Sequence, residues 1–411
     1  MRTISFREEC KDLPSTTYVT HGMHSYPAKI IPHIPHYFIN KSHFSKPDDI
    51  VLDPFCGSGT VLVEAKLSGR NSFGVDINPL ARLLTKVKTT VLDSAKLNAI
   101  LERVIGDITN GKADVQAHKF QDIDYWFSPE VQTKLAIVKE AVEKIEETGC
   151  RDFFRVCFSG IIRRCSFADP RISPACKSKR IRKLIQSGWE PQVFELFYKT
   201  ARMNIRQIQI FAEQCDSLVF AEVIGKNAKE IMLGHEAIDL VITSPPYINA
   251  QKYVRSTKLE ILWLGLLTPD GLSELDKQLI GTERAKFEEY KELEYSSLTT
   301  IKKLDSVLEK IAKFDRRRAY IAYKYFCEMD KVFSEIYRVL RKRGHFVLVI
   351  GNNRFYDIGF PSNEIFLDVA KTHHFKVESV RVDTIKSRGL MTKRNKTADM
   401  IGCEWVLVLR K

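Results

Sequence analysis

The chain alternates between short apolar runs that stop at an acid or a turn and longer stretches in which apolar residues recur every three or four positions. The first pattern predicts buried strands and the second amphipathic helices. Ile50-Val51-Leu52 ends at Asp53, passes through Pro54-Phe55-Cys56 into a Gly57-Ser58-Gly59 turn, and gives way to a helix over residues 60–67 that Gly69 closes. Residues 72–77 make a second strand carrying Asp76 at its end, and Asn78-Pro79 opens another helix. Two such units predict an α/β sheet, in which a ligand sits at the carboxyl ends of the strands. An acid at the end of the second strand suits a ribose hydroxyl, and the glycines allow close backbone approach. The first loop does not fit G-x-G-x-x-G, which weakens a dinucleotide reading. An unspecialised crossover with a glycine turn is the plain alternative.

Ahead of these units, residues 18–39 carry prolines at 27, 32 and 35, so a loop leading into a short helix is expected. His21, His24, His33 and His36 have neither a helical register nor acidic neighbours in sequence, which favours packing over metal ligation. Beyond the helix opened by Pro79 the sheet pattern stops. Ser128-Pro129-Glu130 starts a helix with Val131, Leu135, Val138, Val142 and Ile145 on one face, stopped by Gly149. A second amphipathic run carries Val193, Leu196, Phe197, Ala201, Ile205, Ile208 and Phe211. Between them, residues 151–183 hold ten basic side chains (Arg151, Arg155, Arg163, Arg164, Arg171, Lys177, Lys179, Arg180, Arg182, Lys183) against Asp152 and Asp169, interleaved with Phe153, Phe154, Phe158 and Phe167. An irregular, basic, aromatic-bearing segment is suited to touching phosphates and reading bases; a solvated basic face is the alternative.

Residues 217–223 and 237–243 return to strand pattern, and the latter runs directly into Ser244-Pro245-Pro246-Tyr247. Two prolines stiffen this loop and remove two amide donors, leaving carbonyl acceptors. With the Ser244 oxygen and the Tyr247 ring, such a loop can hold an exocyclic amine while stacking on its base, a contact of about 1–3 kcal/mol. Residues 248–267 predict a packed helix, and the charged segment 268–313 an insertion or lid. A helix through Met329, Phe333 and Leu340 precedes a strand at 345–350, and strands at 375–384 and 404–409 form a closing antiparallel pair. The connection at 386–399 holds Lys386, Arg388, Lys393, Arg394 and Lys396, a phosphate-contacting hairpin or merely solvated charge.

Lysine and arginine number 64 against 51 acids in 411 residues, a net charge of +13 that suits a polyanionic partner but also ordinary solubility. The nine cysteines include no Cys-x-x-Cys pair, so a zinc ribbon or disulfide framework is not indicated. No apolar leader or membrane-length run occurs, and a soluble cytoplasmic protein without a membrane partner is expected.

The stretch from Asp53 to Thr60, followed by Gly74-Val75-Asp76-Ile77-Asn78, resembles the S-adenosylmethionine pocket of the amino-directed DNA methyltransferases, and Ser-Pro-Pro-Tyr after a buried strand resembles their catalytic motif. The resemblance implies a class I (Rossmann-like) α/β fold with a mostly parallel seven-stranded sheet and a large helical insertion. It implies cofactor contacts at Asp53, Pro54, Phe55, Cys56, Gly57, Ser58, Gly59, Thr60, Asp76, Ile77 and Asn78, with Tyr26, Pro27 and Lys29 against the methionine end. Ser244, Pro245, Pro246 and Tyr247 would be catalytic, and no metal is required. The expected division is a cofactor part over 1–94, a target-recognition insertion over 95–214, and a catalytic part over 215–411 interrupted near 268–313. In this family serine at the first motif position is commoner in N4-cytosine enzymes and Asp or Asn in N6-adenine enzymes. N4-cytosine methylation of double-stranded DNA is therefore expected, with a cognate restriction endonuclease as a possible partner. N6-adenine, RNA N2-guanine or purely nucleic-acid-binding roles are the alternatives. A C5-cytosine enzyme needs a thiolate nucleophile, carried in that family by a Pro-Cys pair, and none occurs here.

Overall fold

The computed structural model describes residues 2–27, 29–110, 119–248, 253–384 and 402–411; the basic connection at 386–399 lies outside them. Among the described residues ten strands are formed: β1 (Arg2–Ile4), β2 (Val51–Asp53), β3 (Ser72–Val75), β4 (Ala221–Gly225), β5 (Ile238–Thr243), β6 (Leu340–Ile350), β7 (Asn353–Phe355), β8 (Ile358–Phe360), β9 (Lys376–Thr384) and β10 (Cys403–Arg410). The main sheet runs β4-β3-β2-β5-β6-β10-β9-β1, and β7 and β8 pair apart from it. Strands β4 through β6 are mutually parallel, whereas β10 is antiparallel to both β6 and β9. The seven expected strands are therefore present in a Rossmann-like order. An eighth, β1, extends the edge by pairing in parallel with β9.

The central strands β2 and β5 and the second half of β6 are continuous apolar runs because both faces of the sheet are covered there. Leu52, Val241, Phe346 and Leu407 are fully buried. The helix Thr60–Leu67 begins where expected because Gly59 takes a left-handed backbone (φ +81°), and a β-carbon there would lie 3.0 Å from the Thr85 backbone. Asn78 starts the helix Pro79–Thr89 by accepting a hydrogen bond from the Leu80 amide, with Pro79 in the first helical position.

The insertion packs on two helices that flank the sheet. Helices Ser94–Asn110, Pro129–Glu143, Thr148–Cys165 and Val193–Gln214 share a single apolar core with Leu80, Ala81 and Leu84 of Pro79–Thr89 and with Trp263 of Tyr253–Trp263. Here the expectation of an irregular basic segment over 151–183 is corrected. Its first half belongs to Thr148–Cys165, with Gly149 inside that helix rather than stopping the one before, and Phe153, Phe154 and Phe158 are core residues no more than 1% exposed. The charge is spent locally: Arg155 pairs with Glu143 and Asp152, Arg163 donates to the Ile172 carbonyl, and Arg164 donates to Thr200. Segment 268–313 is likewise no bare loop. It forms helices Pro269–Gln278 and Lys302–Ala312, whose Leu304, Leu308 and Ile311 pack with the long helix Arg316–Val339.

Candidate active site

The loops after β2, β3, β4 and β5 meet at the carboxyl edge of the sheet around one cleft. Of the expected site residues, Tyr26, Pro54, Phe55, Gly57, Asp76, Ile77, Asn78, Ser244 and Pro246 line it. Asp53, Cys56, Ser58, Gly59, Thr60 and Pro245 are buried and do not line the cleft; Pro27, Lys29 and Tyr247 are also not among its lining residues. Lys226, Asn227, Ala228 and Lys229, with Gln278, Leu279 and Ile280, complete the lining without having been singled out from sequence. The first group had a usable signal, since it follows the carboxyl end of a parallel strand. Nothing local marks the second.

Asp53 ties the two decisive loops together. Its carboxylate accepts from the Thr243 hydroxyl at 2.6 Å, one residue before Ser244, and from the Phe55 amide at 3.0 Å. Burial pushes this carboxyl up to about 7, against the pull of those two donors. Asp76 accepts from the Gly57 amide at 2.9 Å and the Asn78 amide at 2.8 Å, one on each oxygen, and burial raises it to about 6. Asn78 in turn donates to the Tyr26 hydroxyl at 3.3 Å and to the Thr257 hydroxyl at 3.2 Å. One amide thus joins the N-terminal loop, the cofactor-type loop and the helix that follows Tyr247.

Supports lie behind the cleft. The fully buried Lys88 ammonium donates to the Ser58 carbonyl at 2.8 Å, and burial drives its pKa well down. Lys29 donates to the His21 and His24 carbonyls at 3.1 and 3.2 Å, so it holds its own loop rather than the cleft wall. His21 and His36 both bond the buried Glu64 carboxylate, at 2.7 and 3.0 Å, which makes them struts. Cys56 packs beneath β3, where a β-carbon on Gly74 would come within 3.0 Å of its sulfur, and burial raises its thiol far above the ordinary value. That surrounding opposes a nucleophilic role.

The lining fits a nucleoside cofactor. Phe55, Ile77, Leu279 and Ile280 offer apolar surface for a base. Each Asp76 oxygen, holding one backbone donor, keeps acceptor capacity for a diol.

At the neighbouring loop, Ser244 Oγ donates to the Tyr247 hydroxyl at 3.4 Å, and that hydroxyl donates to Glu404 Oε1 at 3.1 Å. Glu404 arrives because β10 is antiparallel to β6: Trp405 pairs with Ile350, so the start of β10 stands at the carboxyl edge. Burial pushes its carboxyl up to about 7, the Tyr247 hydrogen bond pulls down, and Asp383 across the strand pair adds to the rise.

The DNA methylase family matches over residues 8–86. The Type II methyltransferase M.MvaI of Kocuria varians is 29% identical over 381 residues, covering 88% of this chain and 83% of that protein. M.BsoBI of Geobacillus stearothermophilus, also a Type II methyltransferase, is 24% identical over 397 residues, with 83% and 75% covered. The Methanocaldococcus jannaschii Type II methyltransferase M.MjaII is 47% identical over 81 residues, which is 20% of this chain and 15% of that one. Similarity to Type II methyltransferases thus extends over most of the molecule, and the match to the DNA methylase family spans the two loops that follow β2 and β3.

Proposed function

We propose that this protein is a site-specific DNA methyltransferase that modifies the exocyclic N4 amine of cytosine in duplex DNA. The observation that carries this reading is the placement of Ser244 and Pro246 on the same cleft as Phe55, Gly57 and Asp76. Serine at the first position of the motif favours cytosine. Bound S-adenosylmethionine supplies a sulfonium-activated methyl group. Asp76 would hold its ribose, Phe55 and Ile77 its base, and Tyr26 would lie towards its methionine end.

The target base must leave the helix, at a cost of a few kcal/mol. Ser244 Oγ and the Pro245 carbonyl would then accept the two amine hydrogens, and the Tyr247 ring would stack on the base. An aromatic amine's lone pair is delocalised into its ring, so two acceptors on its hydrogens favour the tetrahedral nitrogen that can attack. Alignment of the reactants can contribute about 7–11 kcal/mol of the barrier reduction. Asp53, by linking Thr243 to Phe55, would keep the two loops in register for that alignment.

The insertion at 95–214 is the proposed target-recognition region. Its exposed helix Lys179–Gln186 presents Lys179, Arg182 and Lys183. The Type II names of the relatives support a role beside a restriction endonuclease that cuts the same sequence. The test is to incubate the protein with mixed-sequence duplex DNA and S-adenosylmethionine, digest to nucleosides, and identify the product by mass spectrometry. N4-methylcytosine is expected; N6-methyladenine would keep the mechanism and overturn the target. No transfer to DNA would overturn both.

A further inference from the structure

Transfer to an amine leaves a proton to be removed. When the nitrogen bonds the methyl carbon, the carbon–sulfur pair departs with sulfur and the nitrogen becomes cationic. It regains neutrality only by losing an N–H proton, whose bonding pair stays on nitrogen. Ser244 and a proline carbonyl are poor final acceptors, because neither oxygen retains an added proton near neutral pH. The structure offers a continuation. Ser244 Oγ donates to the Tyr247 hydroxyl and that hydroxyl donates to Glu404, every link running in one direction, away from the cleft.

We infer that Glu404 is the terminal acceptor of the proton lost by the target amine, reached through the hydroxyls of Ser244 and Tyr247. The amine proton passes to Ser244 Oγ as the serine's own proton passes to the Tyr247 oxygen, and the tyrosine's proton passes to Glu404 Oε1. No charge is left on either hydroxyl, and the product is a neutral methylated amine with a protonated Glu404. Solvent then resets the carboxylate.

Two features beyond the distances support the assignment. Tyr247 and Glu404 come from opposite parts of the chain and meet only because β10 reverses direction in the sheet. Among the described residues, the ionisable groups that act on Glu404 are Tyr247, on the motif loop, and Asp383, opposite it on β9, and neither is a cation.

The inference rests on the reading of residues 244–247 as the amine-holding loop, and its test separates the two. Single-turnover methylation of duplex DNA is measured from pH 5.5 to 9 for the parent protein, Glu404→Gln and Tyr247→Phe. Base extrusion (fluorescence of 2-aminopurine at the target position), DNA affinity and binding of S-adenosylhomocysteine are measured in parallel. The parent rate should rise with pH and level off once Glu404 is ionised, around pH 7. Glu404→Gln should lose roughly a hundredfold in rate, within the range of general-base effects, and should lose the pH-dependent rise. Its base extrusion and affinities should be retained. Tyr247→Phe, which keeps the ring but cuts the chain of hydroxyls, should show the same flattened profile. Infrared difference spectra of the protein alone should contain a titrating carboxylic acid band that is missing in Glu404→Gln. A Glu404→Gln enzyme with parent-like rate and pH profile overturns the relay. So does a rate lowered equally at every pH with base extrusion lost, the mark of an anchor. Failure of the parent to methylate any DNA amine would instead overturn the underlying reading.

Discussion

Glu64 is fully buried and Glu404 half-buried, and their surroundings send the two carboxyls in opposite directions. Glu64 is fully buried in the helix Thr60–Leu67 and receives Tyr18, His21 and His36. Burial alone would raise its pKa, but the hydrogen bonds from His21 and His36 outweigh it and hold the carboxyl at about 2. Glu404 has the Tyr247 hydroxyl as its donor and an acid, Asp383, across the strand pair, and it rises to about 7. The number of donors, more than the depth of burial, decides whether a withdrawn acid is a permanent anion or one that can trade a proton near neutrality. Glu64 is a strut that pins residues 18–36 against the cofactor-type loop. Asp53, Asp76 and Glu404, all shifted upward, lie at or behind the loops proposed to hold the reactants.

The sharpest way to break this contrast is Glu64→Ala. Three donors would lose their acceptor at once, and the loss should be about 3–5 kcal/mol in chemical unfolding at pH 7, as for other broken buried pairs. A change below about 1 kcal/mol would mean that the cluster is not a strut.

The pH profile of stability follows next. Glu64 is lowered in the folded state, so its contribution is complete above the ordinary pKa of 4.5 and is lost as pH falls towards 2. That limb should be about 3 kcal/mol deep and absent in Glu64→Gln. The raised acids act with the other sign. The folded protein keeps protons on Asp53, Asp76 and Glu404 that the unfolded chain would release, so their contribution is present at low pH and is lost as pH rises through 6 to 7. A thermal-denaturation series should therefore peak on the acidic side of neutral. A stability still rising at pH 8 would contradict the upward shifts.

Asp76→Ala should cost less in stability than Glu64→Ala but weaken S-adenosylhomocysteine binding by about 1–3 kcal/mol, measured by titration calorimetry. Unchanged affinity would remove Asp76 from the cofactor site. The smallest effects belong to exposed charge. Lys179→Ala and Lys183→Ala should leave stability within about 0.5 kcal/mol. Each that contacts a phosphate should reduce the salt dependence of DNA binding by about one unit of slope. Slopes unchanged for both would remove that helix from the DNA interface.

What the sequence made legible tracks how local the signal is. The helix Thr60–Leu67 was readable to the residue because glycines punctuate both ends, and Pro79–Thr89 because Asn78 and Pro79 are local start signals. The loop Ser244 to Tyr247 was readable because a buried strand leads into two prolines. Thr148–Cys165 was misread although Phe153, Phe154, Cys157, Phe158, Ile161 and Ile162 recur at helical spacing, because the arginines and the proline-rich run that follows made the whole segment look like a polar loop. Glu404 was not legible at all. Its neighbours Cys403 and Trp405 mark it only as strand, and its meeting with Tyr247 depends on the register of β10 against β6, which no local pattern encodes.

The long interruption between β3 and β4 bears on the order in which the molecule assembles. Ser72 pairs with Ala221, so this edge of the sheet closes only after all the intervening chain has been made. Closure entropy and long-range parallel pairing both make such a step slow. The insertion shortens the effective loop, because Leu97, Leu135, Phe158 and Ile205 gather with Leu84 of the helix that follows β3. A body packed on that helix can hold the returning chain near the waiting strand. The insertion is thus tied through that helix to the sheet edge on which the cleft depends, since the wall at Lys226 to Lys229 directly follows β4.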